Sequence, residues 1–156
     1  MIDVSIPGYG HLHVKQLVLD YNGTLARDGV LLPGVSAALR TVSDHVDIHV
    51  VTADTFGKAE AQLAGLPCTF TRLGKENQDA AKLEYVKHLG FDSTICIGNG
   101  RNDRRMLKNA AVGIAVVQEE GAAVETVNAA DVVCTSILSV LELLTNPNRL
   151  VATLRS

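Results

Sequence analysis

A chain of 156 residues has the length of one domain, and 47% hydrophobic against 20% charged residues is the balance of a folded protein with a real core. That composition excludes disorder as the main state, and the length does not accommodate two full domains. Fourteen Lys and Arg against 17 Asp and Glu give a net charge of −3 with no block of one sign, so neither nucleic acid nor an anionic membrane finds an electrostatic footprint.

The first 14 residues read as a strand pair leading into the core, with His11 and His13 alternating along one strand. Lys15 to Asp20 is an apolar strand ending in a turn. After Pro33-Gly34, the residues Val35, Ala38, Leu39 and Val42 recur at helical spacing. A strand is predicted from Val46 to Val51, a helix from Phe56 to Leu63 ending near Gly65, and a short strand from Cys68 to Leu73. Gln78 to Leu89 is a longer helix closed by Gly90. Then follow Thr94–Ile97 (strand), Asn102–Asn109 (helix), Val112–Val117 (strand), Glu119–Asn128 (helix), Val132-Val133 (strand) and Ile137–Leu144 (helix). This alternation predicts an α/β fold, a three-layer αβα sandwich around a mainly parallel sheet, in a single domain over residues 1–156. The segment Asn148–Arg155 fits either an interface helix of a homo-oligomer or a helix packed on its own sheet.

The longest apolar run, Ala110 to Val117, is far short of the ~20 residues needed to span a bilayer. MIDVSIPGYG has neither a basic nor an apolar segment, so no export signal is expected. Cys68, Cys96 and Cys134 are odd in number and widely spaced, which fits a reducing cytoplasm rather than a disulfide framework or zinc ribbon. Cys96, within an apolar strand, is expected in the core. His11 and His13, without a third partner in the sequence, read as surface residues.

Ligands of open parallel sheets sit beyond the carboxyl ends of the strands, which directs attention to residues 20–24, 52–55 and 98–103. Asp20-Tyr-Asn22-Gly-Thr24 places a carboxylate where an apolar strand emerges, although Asn-Gly is also a favoured turn dipeptide. Thr52-Ala53-Asp54 offers a hydroxyl that could hold a phosphate oxygen or, equally, residues that cap the next helix. Lys82 and Lys75 are both candidates to neutralise an anion. In Gly98-Asn99-Gly100-Arg101-Asn102-Asp103, two glycines and three oxygen-bearing side chains crowd a strand-to-helix turn. Asp103 occupies the place of the third glycine of a dinucleotide fingerprint, which disfavours that reading.

In order and along almost the whole chain, these four segments resemble the haloacid dehalogenase-like (HAD) superfamily of phosphotransferases. They look closest to the phosphorylation domain of P-type ATPases in a soluble form. Asp20-Tyr-Asn22-Gly23-Thr24-Leu25 is similar to the phosphorylated-aspartate motif, and Thr52-Ala53-Asp54 to the Thr-Gly-Asp segment. Lys82-Leu-Glu-Tyr-Val86-Lys-His-Leu89 matches the lysine helix, which favours Lys82 over Lys75. Residues 98–103, followed by Ala110 to Ala115, resemble the metal-binding loop and its next strand.

The resemblance implies a magnesium-dependent phosphohydrolase in which Asp20 attacks phosphorus and becomes an aspartyl phosphate. It gives Asp20, Gly23, Thr24, Thr52, Ala53 and Lys82 to the phosphate. Magnesium would be held by Asp20, the backbone carbonyl of Asn22 and an acid of the last loop. The implied partner is a phosphorylated substrate, either a small molecule or a macromolecule.

Three departures qualify that picture. Asn22 stands where phosphatases of the superfamily carry an acid/base Asp, and an amide cannot accept a proton near neutral pH, so the second step should be slow. Asn99 stands where a metal-binding Asp is usual. Asp103 is then expected to supply the ligand charge, with Asn99 the alternative and Asn102 supporting. Finally, 32 positions separate Asp20 from Thr52 and 30 separate Thr52 from Lys82, enough for one helix and one strand each but not for a cap or nucleotide-binding domain. A weakly active phosphate-binding regulator, or an ATPase or phosphotransferase with a long-lived phosphoenzyme, are the alternative readings.

Overall fold

A computed structural model describes residues 1–54 and 57–156. Strands β1 (Ile2–Ile6) and β2 (Gly10–Val14) form the expected antiparallel pair. Ile2, Ile6, Leu12 and Val14 point into the core, while Asp3, Ser5, His11 and His13 occupy the solvent face, as the two-residue period of a strand requires. Strand β3 (Gln16–Leu19) follows, with Leu17, Val18 and Leu19 fully buried as in a strand covered on both faces.

Between β3 and the first helix lies a small hairpin of β4 (Ala26–Arg27) and β5 (Val30–Leu31). Two-residue strands are too short to show alternation, so sequence periodicity misses them. The signal that could reveal the hairpin is Asp28-Gly29, whose positive φ angles of 52° and 78° suit its tight turn.

The chain continues through α1 (Val35–Val42), β6 (Asp47–Thr52), α2 (Ala59–Leu63), β7 (Thr69–Arg72) and α3 (Gln78–Leu89) to β8 (Thr94–Gly98). It ends with α4 (Arg104–Asn109), β9 (Val112–Val116), α5 (Val124–Ala129), β10 (Val132–Cys134), α6 (Ile137–Thr145) and α7 (Pro147–Leu154). Six strands form one parallel sheet in the order β10-β9-β8-β3-β6-β7. The chain starts in the middle at β3, runs outward to β7, and then crosses back to β8 on the other side of β3. That reversal creates the crevice at which open α/β sheets bind ligands.

Side chains alternate between the two faces. Leu17, Leu19, Val50, Ile95 and Ile97 pack against α1, α6 and the β1–β2 pair, whereas Val18, Val51, Cys96 and Ala115 pack against Val86 of α3 and Met106 and Leu107 of α4. The result is the predicted three-layer sandwich. Cys96 is buried, while Cys68 and Cys134 are partly so, and all three are free thiols. Burial pushes the Cys96 thiol well above its usual range.

Three helices differ from expectation. Only Ala59–Leu63 of the segment predicted from Phe56 is helical among the described residues, and Thr55 and Phe56 lie outside them. The helix predicted from Asn102 opens with a 3₁₀ turn over Arg101–Asp103 and becomes α-helical at Arg104. The one predicted from Glu119 begins only at Val124. Residues 118–123 instead form a turn, with Gly121 N–H donating to the Gln118 carbonyl and Ala123 N–H to that of Asn99. The carboxyl-terminal helix α7 lies on its own molecule: Leu150 is buried, and Val151 and Leu154 pack against the core. Among the described residues no helix is long and apolar enough to cross a membrane.

Candidate active site

Parallel pairing brings the strand ends together. Leu19 of β3 lies opposite Val50 of β6 and Ile97 of β8, so Asp20, Thr52 and Asn99 emerge at the same edge. Asp20 N–H donates to the Ile97 carbonyl at 3.0 Å, which holds the emerging chain against β8.

Lys82 reaches this edge from the first turns of α3. Its stem is enclosed by the protein, and only 1% of the residue is exposed. The ammonium donates to Asp20 Oδ1 and to Asp103 Oδ1, each at 2.6 Å. Lys75, by contrast, is exposed and lines a shallow polar depression with Gln78, Gly100 and Arg101. Of the two lysines, Lys82 is the one that reaches Asp20.

Burial raises the Asp20 carboxyl to about 6; the neighbouring Asp103 adds to the shift, and Lys82 opposes it. Burial disfavours the charge on Lys82, but Asp103 and Asp20 together outweigh it and hold the ammonium above its ordinary range. Two carboxylates against one ammonium leave excess negative charge in a nearly dry site.

The first loop is tied to the last. Thr24 is fully buried, and its hydroxyl lies 3.4 Å from Asp20 Oδ2 and 3.3 Å from Asn99 Oδ1. Gly23 has φ +81°, and a side chain there would collide with the Asn99 amide, so glycine is required on both counts. Its N–H donates to the Ala26 carbonyl at 2.8 Å, closing the turn. Asn22 is half-buried, and its Oδ1 is buried without a hydrogen-bond partner among the described residues.

In the last loop Asp103 is completely buried and fully engaged. Besides Lys82, it accepts from Asn99 N–H at 3.1 Å and Gly100 N–H at 2.9 Å, both on Oδ2. Gly98 lacks the Cβ that would strike this carboxylate. Asp103 thus organises the loop and aims the lysine. The more exposed Asn99 faces Thr24 through Oδ1 and donates its amide N–H to the Gly121 carbonyl at 3.0 Å. Asn102 does not join the carboxylates; its amide donates to Gln78 Oε1 at 2.6 Å and ties the loop to the start of α3.

Thr52 is buried at the end of β6, where its hydroxyl accepts from Asp54 N–H at 3.0 Å, with Ala53 half-buried between them. Asp54 takes the structural role that the sequence left open. Its carboxylate accepts from Ala59 N–H at 2.9 Å at the start of α2 and from Arg72 at 3.1 Å.

Gln118 is a supporting residue that sequence reasoning missed. Its amide donates to the carbonyls of Thr24 at 2.9 Å and Gly23 at 3.2 Å, and its Oε1 accepts from Ile137 N–H at 2.8 Å. It lies 94 positions from Thr24, and no local pattern marks it.

The donor set suits a hard divalent cation. It consists of oxygens, carries excess negative charge and includes the orphaned amide oxygen of Asn22.

The same fold occurs in solved structures. A 3-deoxy-D-manno-octulosonate 8-phosphate phosphatase from Moraxella catarrhalis, solved with magnesium, phosphate and the sugar acid, superposes with a TM-score of 0.71 at 18% identity, covering 92% of this chain and 94% of that one. A protein from Legionella pneumophila assigned to subfamily III A of the HAD hydrolases gives a TM-score of 0.65 at 17% identity, covering 90% and 87%. The chain therefore has the HAD-like fold. No protein-family model matches it. It is 42% identical over 83 residues to the uncharacterized protein MJ0073 of Methanocaldococcus jannaschii, covering 51% of this chain and 89% of the relative, and it belongs to the same family as that protein.

Proposed function

We propose that this chain is a magnesium-dependent phosphohydrolase with Asp20 as the nucleophile. The observation that carries the reading is the Lys82 ammonium held 2.6 Å from both Asp20 and Asp103 at the end of the central strand. A buried cation beside a carboxylate at a sheet's switch point suits an incoming phosphoryl group. The HAD-like fold and the phosphatase neighbours support the same reaction class.

An oxygen of Asp20 attacks phosphorus and forms a new P–O bond while the ester oxygen leaves. Water then cleaves the acyl phosphate and regenerates Asp20. Lys82 and the Thr52 hydroxyl hold the equatorial oxygens and offset their charge. Magnesium, held by Asp20, the backbone carbonyl of Asn22 and Asn99, would screen the repulsion between carboxylate and phosphate. Asn99 is assigned this place rather than Asp103, because Asp103 would have to give up Lys82 or the loop N–H groups to reach a metal. Asn22 can orient water but cannot take its proton, so dephosphorylation is the slow step, as in the soluble P-type ATPase-like reading. The open, capless edge leaves room for a large phosphorylated substrate, and three free thiols fit a reducing cytoplasm.

The test is turnover of p-nitrophenyl phosphate with and without magnesium, comparing the wild-type chain with Asp20→Asn. We expect magnesium-dependent release that falls by at least about a thousandfold in the variant. Equal rates would refute the nucleophile assignment, and no turnover in either protein would favour a phosphate-binding regulator.

A further inference from the structure

The β1–β2 pair supplies the partner that His11 and His13 lack in the sequence. In the antiparallel register Asp3 lies opposite His13 and Ser5 opposite His11. Asp3 Oδ1 lies 3.1 Å from His11 Nε2, and Asp3 Oδ2 lies 2.7 Å from His13 Nδ1. Ser5 Oγ lies 2.8 Å from His11 Nδ1. One donor atom from each of Asp3, His11 and His13 falls within 4.8 Å of the others.

We propose that this face of the hairpin is a second metal site, which binds one zinc-class divalent ion through His11 Nε2, His13 Nδ1 and the Asp3 carboxylate. Bonds of about 2.0–2.1 Å at tetrahedral angles separate ligand atoms by about 3.3 Å; the two Asp3–histidine spacings, 3.1 and 2.7 Å, lie near that value, and all three ligand atoms fall within 4.8 Å of one another. Imidazole nitrogens with one carboxylate favour zinc, nickel or copper over magnesium, so this site and the oxygen-lined edge at Asp20 select different metals. Ser5 plays the orienting part: by accepting the Nδ1 proton of His11 it leaves Nε2 free to ligate. The residues that hold the strands to the core are Ile2, Ile6, Leu12 and Val14 on the opposite face, so the ligand face is independent of packing. His11, His13 and Asp3 side chains are each about half exposed, at 55%, 47% and 48%, which leaves a fourth position open to water or to a donor from another molecule.

Calorimetry of the EDTA-stripped chain with zinc chloride, and the visible spectrum of its cobalt(II) form, test the proposal. We expect one strong zinc equivalent per chain and a cobalt band of four-coordinate intensity, both retained in Asp20→Asn and in Cys68→Ser. Affinity should fall at least about tenfold in His11→Ala and in His13→Ala, and by a lesser factor in Ser5→Ala. Circular dichroism of these exposed-face variants should match the wild type. Absence of zinc binding by the wild-type chain would overturn the proposal. So would binding unchanged in both histidine variants, or binding lost in Asp20→Asn or Cys68→Ser instead.

Discussion

At position 22 an amide stands where a carboxylate would let the site protonate a leaving group and deprotonate water, and its Oδ1 is buried without a partner among the described residues. Asn22→Asp should therefore accelerate hydrolysis, most for alkyl phosphates with poor leaving groups, by on the order of 10²-fold. Steady-state rates on an alkyl and an aryl phosphate check this; unchanged or lower rates would dismiss the account of Asn22. Asp20, Asn22, Thr52 and Lys82 were legible as candidates because each sits in a short segment with its own pattern. The contacts that Asp103 makes were not. Sequence offered a carboxylate to replace the one missing at Asn99, whereas the fold commits both its oxygens to Lys82 and the loop backbone.

Among the elements, α4 fits closely against β9 at Gly113. A Cβ on Gly113 would run into the backbone carbonyl of Leu107, which cannot swing aside as a side chain could. Gly113→Ala should destabilise the fold by roughly 1–3 kcal/mol, read as a lower midpoint in urea with an unchanged slope. Strands could be read because burial on one or both faces imposes a period on the residues; α3, which is closed by Gly90, matches its prediction at both ends. The five-residue error at α5 has a different origin. Residues 118–123 could form helical turns, but Asn99 and Gln118 recruit that backbone to support the first and last loops.

For the molecule as a whole, the site imposes a cost in stability that should be visible as pH dependence. Asp20 has its folded-state value raised to about 6 from an ordinary 3.8, with burial the main cause. The folded state therefore binds the proton more tightly than the unfolded chain. The contribution is fully present below pH 3.8 and is lost as pH rises through about 6. In metal-free buffer Asp20→Asn should be more stable than wild type at pH 7.5, since Lys82 and Asp103 then form a one-to-one pair. The gain should be on the order of 1 kcal/mol or more, at roughly 2–4 °C per kcal/mol, and should vanish near pH 4. Melting temperatures of both proteins at the two pH values test this, and an equally or less stable variant at pH 7.5 would contradict the sign.

What the sequence determined by itself was the layered α/β architecture and the identity of the segments at the strand ends. Both are written in local patterns: the alternation of strand and helix periods, and motifs a few residues long. Only the tertiary structure decided that Lys82 lies between Asp20 and Asp103, what else Asp103 holds, where α7 lies and that Asp3 joins His11 and His13. Those outcomes depend on strand register and on packing between distant elements. A polar side chain records neither in its own neighbourhood of the sequence, because its partner is set by the fold of everything between them.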